Sequence, residues 1–412
     1  MTEHVVPTAR QCLAAALAAL PGMGPRRLRA LLGVMSPERA WDAMRGIDAL
    51  PAHLVDRFER AGVLASWRAH ATDELIADVR RRVAMNAMRV VVLAHGGDSG
   101  GGGDDRIDDV RNYDGYPPVL AADPEAPAVL FVRGSLDVLR HRRVAIVGTR
   151  AATASGRRFA RELGRDLAQH GVAVVSGLAR GIDVAAHRGA LDAHDDAAGD
   201  VDVDDRERVG PVGVVASGLD RPYPREHVDA WHDVARRGVL ICESPPGTSA
   251  DAFRFPLRNR IIAALSEILV VVESRATGGS MLTVDHALRR GIPVMAVPGS
   301  PGQATSEGTN ALLAEGCAPV RDARDVLEVL GLDHRRHLAR DARPRPDPHD
   351  RVVLDALAVS PLSLGEIVAR IQRPVHDVAV SLGRLSAHGW VVEHAGWWES
   401  VHVTPTFDRV GR

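Results

Sequence analysis

The sequence predicts an α/β protein. Its centre is a doubly wound, mainly parallel sheet, flanked by a small helical N-terminal domain and a C-terminal winged-helix domain. Three observations predict this. Between residues 115 and 320, short apolar runs alternate with amphipathic stretches, the pattern of strands joined by crossover helices. Those runs are apolar throughout rather than alternating, so both faces of the sheet must be covered. The flanks lack that rhythm and read as helices, with one alternating hairpin near the C-terminus.

In chain order, residues 1–80 form the helical domain. An alanine- and leucine-rich helix ends near Leu20, "PGMGP" makes the turn, and Pro25 opens a second helix. The turn is similar to a helix-hairpin-helix element, whose glycines let backbone N–H groups approach a phosphate. The same hairpin also serves as a plain helical packing unit, and the residues leave both readings open. A glycine- and aspartate-rich stretch, His95–Arg106, reads as a flexible loop inside the main domain, 85–320.

The main domain's strands fall at Val144–Val147, Val172–Val175, Val212–Ala216, Val239–Cys242, Ile268–Val272 and Val294–Val297. Helices between them are expected at Gly156–His170, Asp183–Ala193, Arg225–Arg237, Leu257–Ser266 and Met281–Arg290. An acidic insertion at 192–208, with eight acids against two arginines, reads as disordered. A Pro/Arg/Asp linker at 334–349 leads to the last domain, 350–402. There, three helices (Arg351–Ala358, Leu364–Ile371, Val375–His388) and a hairpin make a winged helix.

Ligands of doubly wound sheets sit at the carboxyl ends of the strands. Here the first strand runs into Gly148-Thr149-Arg150, and the second into "SGLARGID", with Ser176, Gly177 and Gly181. Later loops carry "RPYPREH", "FRFPLRNR" and "SRATGGSM". Glycine, small hydroxyls and arginine recur on this edge, a combination that cradles anionic oxygens. Asp183 fits a helix N-cap, and Glu243 and Glu273 suit capping or arginine pairing better than catalysis. Aromatic residues are only 4% of the chain, so Phe255 among Arg254, Arg258 and Arg260 suits a base-stacking platform; a core phenylalanine is the alternative.

Several classes are excluded. No G-x-G-x-x-G follows the first strand and no P-loop occurs, so no nucleotide cofactor is expected. No catalytic set and no metal-ligand spacing stands out. Three scattered cysteines exclude a disulfide framework and fit a reducing cytoplasm. No apolar run is long enough to span a membrane, and the N-terminus does not read as a secretory signal. The net charge of −2 hides a modest bias: over 144–318 without the insertion, 17 arginines face 14 acids. All 51 basic residues are arginine, which suits phosphate but equally reflects a GC-rich coding bias. Several arginine-bearing loops along one edge fit an extended polyanion better than a single pyrophosphate.

Taken together, "YPPVLAADPEAPAVLFVRGS", "VAIVGTR", "VVSGLARGIDVAAHRGAL", "SGLDRPYPREH", "SPPGTSADAFRFPLRNRIIAALS" and "PGSPGQATSEGTNALLAEG" resemble the DNA-processing protein A family (DprA, also Smf). The likeness covers roughly 115–318 in order and spacing. It implies an extended Rossmann-like fold and a cytoplasmic, non-enzymatic protein of natural transformation and recombination. Such a protein binds single-stranded DNA, acts on SSB-coated DNA, loads RecA and forms a homodimer. By motif it implies that Arg150 is the key phosphate contact, with Gly148 and Thr149 beside it. Ser176–Gly181 and Gly278–Ser280 (Gly279 and Ser280 among them) line the pocket, and Arg225 adds a second cation. Phe255, Arg258, Asn259 and Arg260 border it. Thr149 stands where the family commonly has serine; the acidic insertion and the glycine loop at 96–103 are departures. The alternative is a Rossmann-like nucleotide hydrolase of the phosphoribohydrolase type. Its Pro-Gly-Gly-x-Gly-Thr and glutamate are replaced here by "TGGSMLTVDH".

The last domain is expected to serve as an interaction or regulatory module rather than to read a DNA groove. It holds four arginines against six acids, and its third helix offers little beyond Arg384 as a cation.

Overall fold

The computed structural model describes residues 7–93, 115–198, 209–332, 346–357, 362–394 and 396–400. The glycine loop, residues 199–208 of the acidic insertion and most of the linker lie outside the described residues. The chain divides into two compact units, Met1–Leu332 and Asp333–Arg412.

The first unit begins with six helices: α1 (Ala9–Ala18), α2 (Pro25–Leu32), α3 (Pro37–Met44), α4 (Ala52–Arg60), α5 (Leu64–His70) and α6 (Asp73–Met85). Thr8 opens α1 with a capping box, its hydroxyl bonding Gln11 N–H while Gln11 reaches back to Thr8 N–H. A nine-stranded sheet follows: β1 (Arg89–Val92), β2 (Val129–Gly134), β3 (Arg142–Val147), β4 (Val172–Ser176), β5 (Val212–Val214), β6 (Val239–Cys242), β7 (Ile268–Val271), β8 (Val294–Ala296) and β9 (Ala318–Pro319). Their spatial order is β1-β2-β6-β5-β4-β3-β7-β8-β9. From β6 to β9 every pairing is parallel, and β1 and β2 add an antiparallel edge. The expected parallel runs all appear. The strands β1, β2 and β9, for which no run was singled out, extend the sheet at both ends.

The helices of the sheet are α7 (Pro118–Ala121), α8 (Ala154–Gln169), α9 (Ile182–Ala198), α10 (Val228–Arg237), α11 (Arg254–Ala264), α12 (Gly279–Leu288), α13 (Glu307–Ala314) and α14 (Ala323–Val329). Strand residues alternate between two cores, as side chains of period two must. Val144, Ile146, Val172, Val174 and Val270 pack under α8, α9 and α14. Ala145, Val147, Ala173, Val175 and Val271 pack under α11 and α12. Both faces are therefore covered, which explains the uniformly apolar runs. A third core joins α1–α6 to the antiparallel edge: Trp41, Phe58 and Trp67 share it with Val90, Phe131, Leu240 and Trp231. The helical segment and the sheet thus bury one continuous interior.

The insertion differs from the expectation of disorder over its first residues. They continue α9, where Asp192 pairs with Arg161 at 2.6 Å and Asp195 with Arg237 at 3.0 Å.

In the second unit, α15 (Pro348–Ala356), α16 (Leu364–Ile371) and α17 (Val375–Ala387) accompany a three-stranded sheet. That sheet comprises β10 (Leu362–Ser363), β11 (Val391–His394) and β12 (Trp397–Ser400), in the order β10-β12-β11. The first helix starts earlier than expected because Asp347 caps it, accepting the N–H groups of His349 and Asp350, with Pro348 in the first turn.

Candidate nucleic-acid interface

Strand order reverses at β3, whose two neighbours are β4 and β7. The crevice beyond the carboxyl ends of β3 and β7 is therefore the expected ligand position. Thr149 N–H donates to Glu273 O at 2.7 Å, tying the first loop to the end of β7. The Glu273 carboxylate accepts from Thr153 N–H (2.9 Å) and from the Thr153 hydroxyl (2.5 Å). Thr153 in turn caps α8 through Gly156 N–H. Glu273 thus anchors the start of a helix.

Arg150 projects from this frame into solvent. Its guanidinium lies over the Phe255 ring at 4.5 Å from the centroid. The Tyr223 ring packs on the other neighbour of this group, 5.7 Å from Phe255 and inclined by 54°. Residues 105 and 32 positions from Phe255 in sequence thereby meet it in one cluster of a cation and two aromatics. Tyr223 keeps 45% of its surface exposed, and Arg225, two residues on, is exposed and free of ion pairs among the described residues. Asn259 reaches across the crevice, its Nδ2 donating to Gly279 O at 3.3 Å.

Other expected site residues support this surface from beneath. The Ser176 hydroxyl is fully buried and donates to Ile146 O at 2.6 Å. Ser280 is buried and donates to the Ser274 hydroxyl at 2.8 Å. Gly181 adopts φ +78°, and a Cβ there would stand 2.3 Å from Thr149 O, so the second loop presses directly on the first. At Gly177 a Cβ would strike the Arg258 guanidinium at 2.3 Å.

Arg258 and Arg260 depart from the expectation that they contact DNA. Arg258 is only 5% exposed. Its Nη1 donates to Gly177 O at 2.7 Å and to Val214 O, joining the ends of β4 and β5. Burial draws its pKa down to about 10, against the opposing charge of Asp183. Arg260 is likewise buried, paired with Glu243 and donating to Glu125 O at 2.6 Å. A buried guanidinium surrounded by acceptors is already spent on the fold. Asp183 does not cap its helix. It lies in the first turn and accepts Gly177 N–H at 3.2 Å, its carboxyl pushed upward by burial.

The α1–α2 turn faces inward too. Met23, Gly24 and Pro25 line a narrow crevice with Glu243, Ser244, Pro245 and Arg254, so Gly24 approaches the sheet edge. Trp67 Nε1 donates to Pro21 O at 2.8 Å and holds the turn there.

Sequence reasoning passed over Tyr223, Arg180 and Arg275 as individual residues, although each sits in a loop it had singled out. Tyr223 carried the better signal, being one of three tyrosines and lying in a Pro-Tyr-Pro run beside a cation. Among the described residues, no cluster of His, Cys, Asp and Glu could hold a metal ion, and no helix is long and apolar enough to cross a membrane.

His187 lies beneath the same loops with no exposed surface, and neither ring nitrogen has a hydrogen-bond partner among the described residues. Burial pushes its pKa from 6.5 down to about 4; the nearby Ser176 backbone opposes this only in part. The folded state therefore keeps the ring neutral where the unfolded chain would protonate it. Stability is full above pH 6.5 and should fall as pH drops toward 4, by about 1.4 kcal/mol per pH unit. Urea midpoints measured across that window should show the decline, and His187→Leu should flatten it. An unchanged slope in the variant would assign the acid sensitivity to other groups.

With this geometry in place, comparison with known proteins is decisive. The family model described as DNA recombination-mediator protein A matches residues 110–331, more than half of the chain. The chain belongs to that family. Protein Smf of Escherichia coli is 33% identical over 291 residues, spanning 68% of this chain and 74% of that protein. A relative in Mycobacterium tuberculosis named as a DNA processing protein DprA is 39% identical over 265 residues. That match takes in 64% of this chain but only 63% of the relative's length. The X-ray structure of DNA processing protein A from Streptococcus pneumoniae shares the fold, with a TM-score of 0.58 at 24% identity. It covers 78% of this chain and 98% of that one. The family's region coincides with the parallel sheet and every loop of the crevice described above.

Proposed function

We propose that this protein binds single-stranded DNA along the carboxyl edge of its sheet and hands it to a RecA-type recombinase. The observation that carries this is the cluster of the exposed Arg150 and Tyr223 with the half-buried Phe255 at the point where strand order reverses, in a chain of the recombination-mediator family. Arg150 and Arg225 hold backbone phosphates, the loop at Gly148–Thr149 carries Arg150 while its Thr149 N–H stays with Glu273 O, the helix start at Gly279 brings main-chain N–H groups alongside, and bases stack on Phe255 with Tyr223. Stacking on an aromatic platform beside cations recognises a strand without reading its sequence. Glu273, Asp183 and Glu243 are engaged in capping and buried charge pairing, which supports binding without chemistry on the DNA. The name of the Mycobacterium tuberculosis relative, a DNA processing protein, supports a role in DNA processing; in this reading that role is uptake and recombination of incoming strands in the cytoplasm.

In this reading segment 85–320 is the DNA-binding part and the site of homodimer formation. Segment 1–80 buttresses it, 334–349 is a linker, and 350–402 is a winged helix. That last domain serves as an interaction module: Arg384, the main cation of its third helix, is held by both oxygens of Asp350 at 3.0 and 2.7 Å.

Fluorescence anisotropy with unrelated oligonucleotides tests the binding. Affinity should be similar across sequences, and log K should fall with log[salt] by about 0.7 per phosphate neutralised. Phe255→Ala should cost about 1–3 kcal/mol, roughly five- to 150-fold, without flattening that slope. Binding indifferent to salt, or intact in Phe255→Ala, counts against the platform. Recombinase filament formation on SSB-coated DNA, with and without the protein, tests delivery; no stimulation removes the loading role alone.

A further inference from the structure

We infer that Arg180 is a further phosphate-binding cation of this edge, held in reserve by Glu226, whose carboxylate a DNA strand must displace. The inference rests on the binding proposed above and deepens it.

Arg180 lies in the loop between β4 and α9. That loop is placed beside Arg150 by backbone contacts, since Gly181 packs against the carbonyls of Thr149 and Arg150, and Ile182 N–H donates to Thr149 O at 3.4 Å. Glu226 comes from the β5–α10 connection, immediately after Arg225 and three residues after Tyr223. The two side chains meet in a fork, Arg180 Nε to one Glu226 oxygen at 2.6 Å and Nη2 to the other at 2.8 Å. Both remain open to solvent, at 58% and 49% exposure. The pair therefore sits on the same connection that carries Tyr223 and Arg225. Arg150, Arg225 and Arg275 have no ion pair among the described residues, so the edge presents free cations around one that is masked.

A phosphate offers Arg180 the same two-oxygen geometry that Glu226 now supplies. An exposed ion pair is weak, so a polyanion already held at Arg150 and Arg225 can exchange places with the carboxylate. The exchange also discriminates. A short or weakly held anion cannot displace Glu226, whereas a strand anchored at neighbouring positions does so at high effective concentration. The freed carboxylate then takes up a cation from solution, which hides the Arg180 contact from the salt dependence of the wild type.

The test is a salt titration of single-stranded oligonucleotide binding by the full chain and its variants. Glu226→Gln should tighten binding about three- to tenfold near physiological salt and steepen the slope of log K against log[salt] by about 0.7, the value for one strand phosphate. Asp137→Asn removes the same charge at the opposite end of the sheet, from an exposed pair with Arg140, and should change neither quantity. In an Arg180→Ala background, Glu226→Gln should bring no gain. A Glu226→Gln protein that binds no tighter than Asp137→Asn, or a gain that survives loss of Arg180, overturns the inference while leaving the DNA reading intact. Failure of the wild type to bind, or Arg150→Ala binding like wild type, would overturn both.

Discussion

Alanine in place of Arg150 should weaken single-stranded DNA binding by about ten- to a hundredfold at low salt, while leaving the folded protein as stable as before. The size follows from the contact removed: a hydrogen bond to a charged group contributes about 1.5–3 kcal/mol, and tenfold in affinity is about 1.4 kcal/mol. The insensitivity of stability follows from placement. Arg150 is exposed, has no ion pair among the described residues, and touches the fold mainly by lying over Phe255. The slope of log K against log[salt] should flatten by about 0.7 at the same time. Arg150→Lys separates charge from shape: it keeps the cation but loses the planar stack on Phe255, so it should recover the salt slope more fully than the affinity. Anisotropy titrations at several salt concentrations, beside urea unfolding of each variant, check all three. An Arg150→Ala protein that binds like wild type would move the site away from the crevice between β3 and β7.

Arg258→Met should do the reverse, costing about 3–5 kcal/mol of stability, because two buried carbonyls lose a charged donor and the buried Asp183 loses its nearby opposing charge. Arg258 holds Gly177 O and Val214 O, and its charge compensates the buried Asp183. Its loss leaves two strand-end carbonyls without a donor and a carboxylate without its cation. Adding Asp183→Asn should restore part of the loss, because the uncompensated charge then disappears. Urea midpoints of the single and double variants decide this. A loss of stability under about 1 kcal/mol, together with a strong loss of binding, would return Arg258 to the DNA surface where its motif alone had placed it.

The contrast between these two arginines shows where sequence reading stops. The α11 segment "RFPLRNR" offers cations at 254, 258 and 260, which read alike as a basic border to a pocket. Helical spacing cannot say which of them faces inward, because that depends on what packs against each side. Here the carbonyl ends of β4 and β5 receive Arg258, and Glu243 receives Arg260. The pairing of Arg180 with Glu226, 46 residues away, and the meeting of Tyr223 with Phe255 are of the same kind. The short edge strand β9 was equally hidden, since two residues carry no period and are strands only by pairing with β8.

By itself the sequence determined the parallel sheet, its crossover helices and the edge at which a ligand is expected. Uniformly apolar strands and glycine-arginine loops are local signals, written in adjacent residues. Only the tertiary structure decided which arginines remain free for an anion, which are consumed by buried carbonyls and carboxylates, and that the N-terminal helices share the sheet's interior. Those outcomes depend on contacts between distant segments, where the desolvation of a charge is either compensated or avoided, and no stretch of sequence contains both partners.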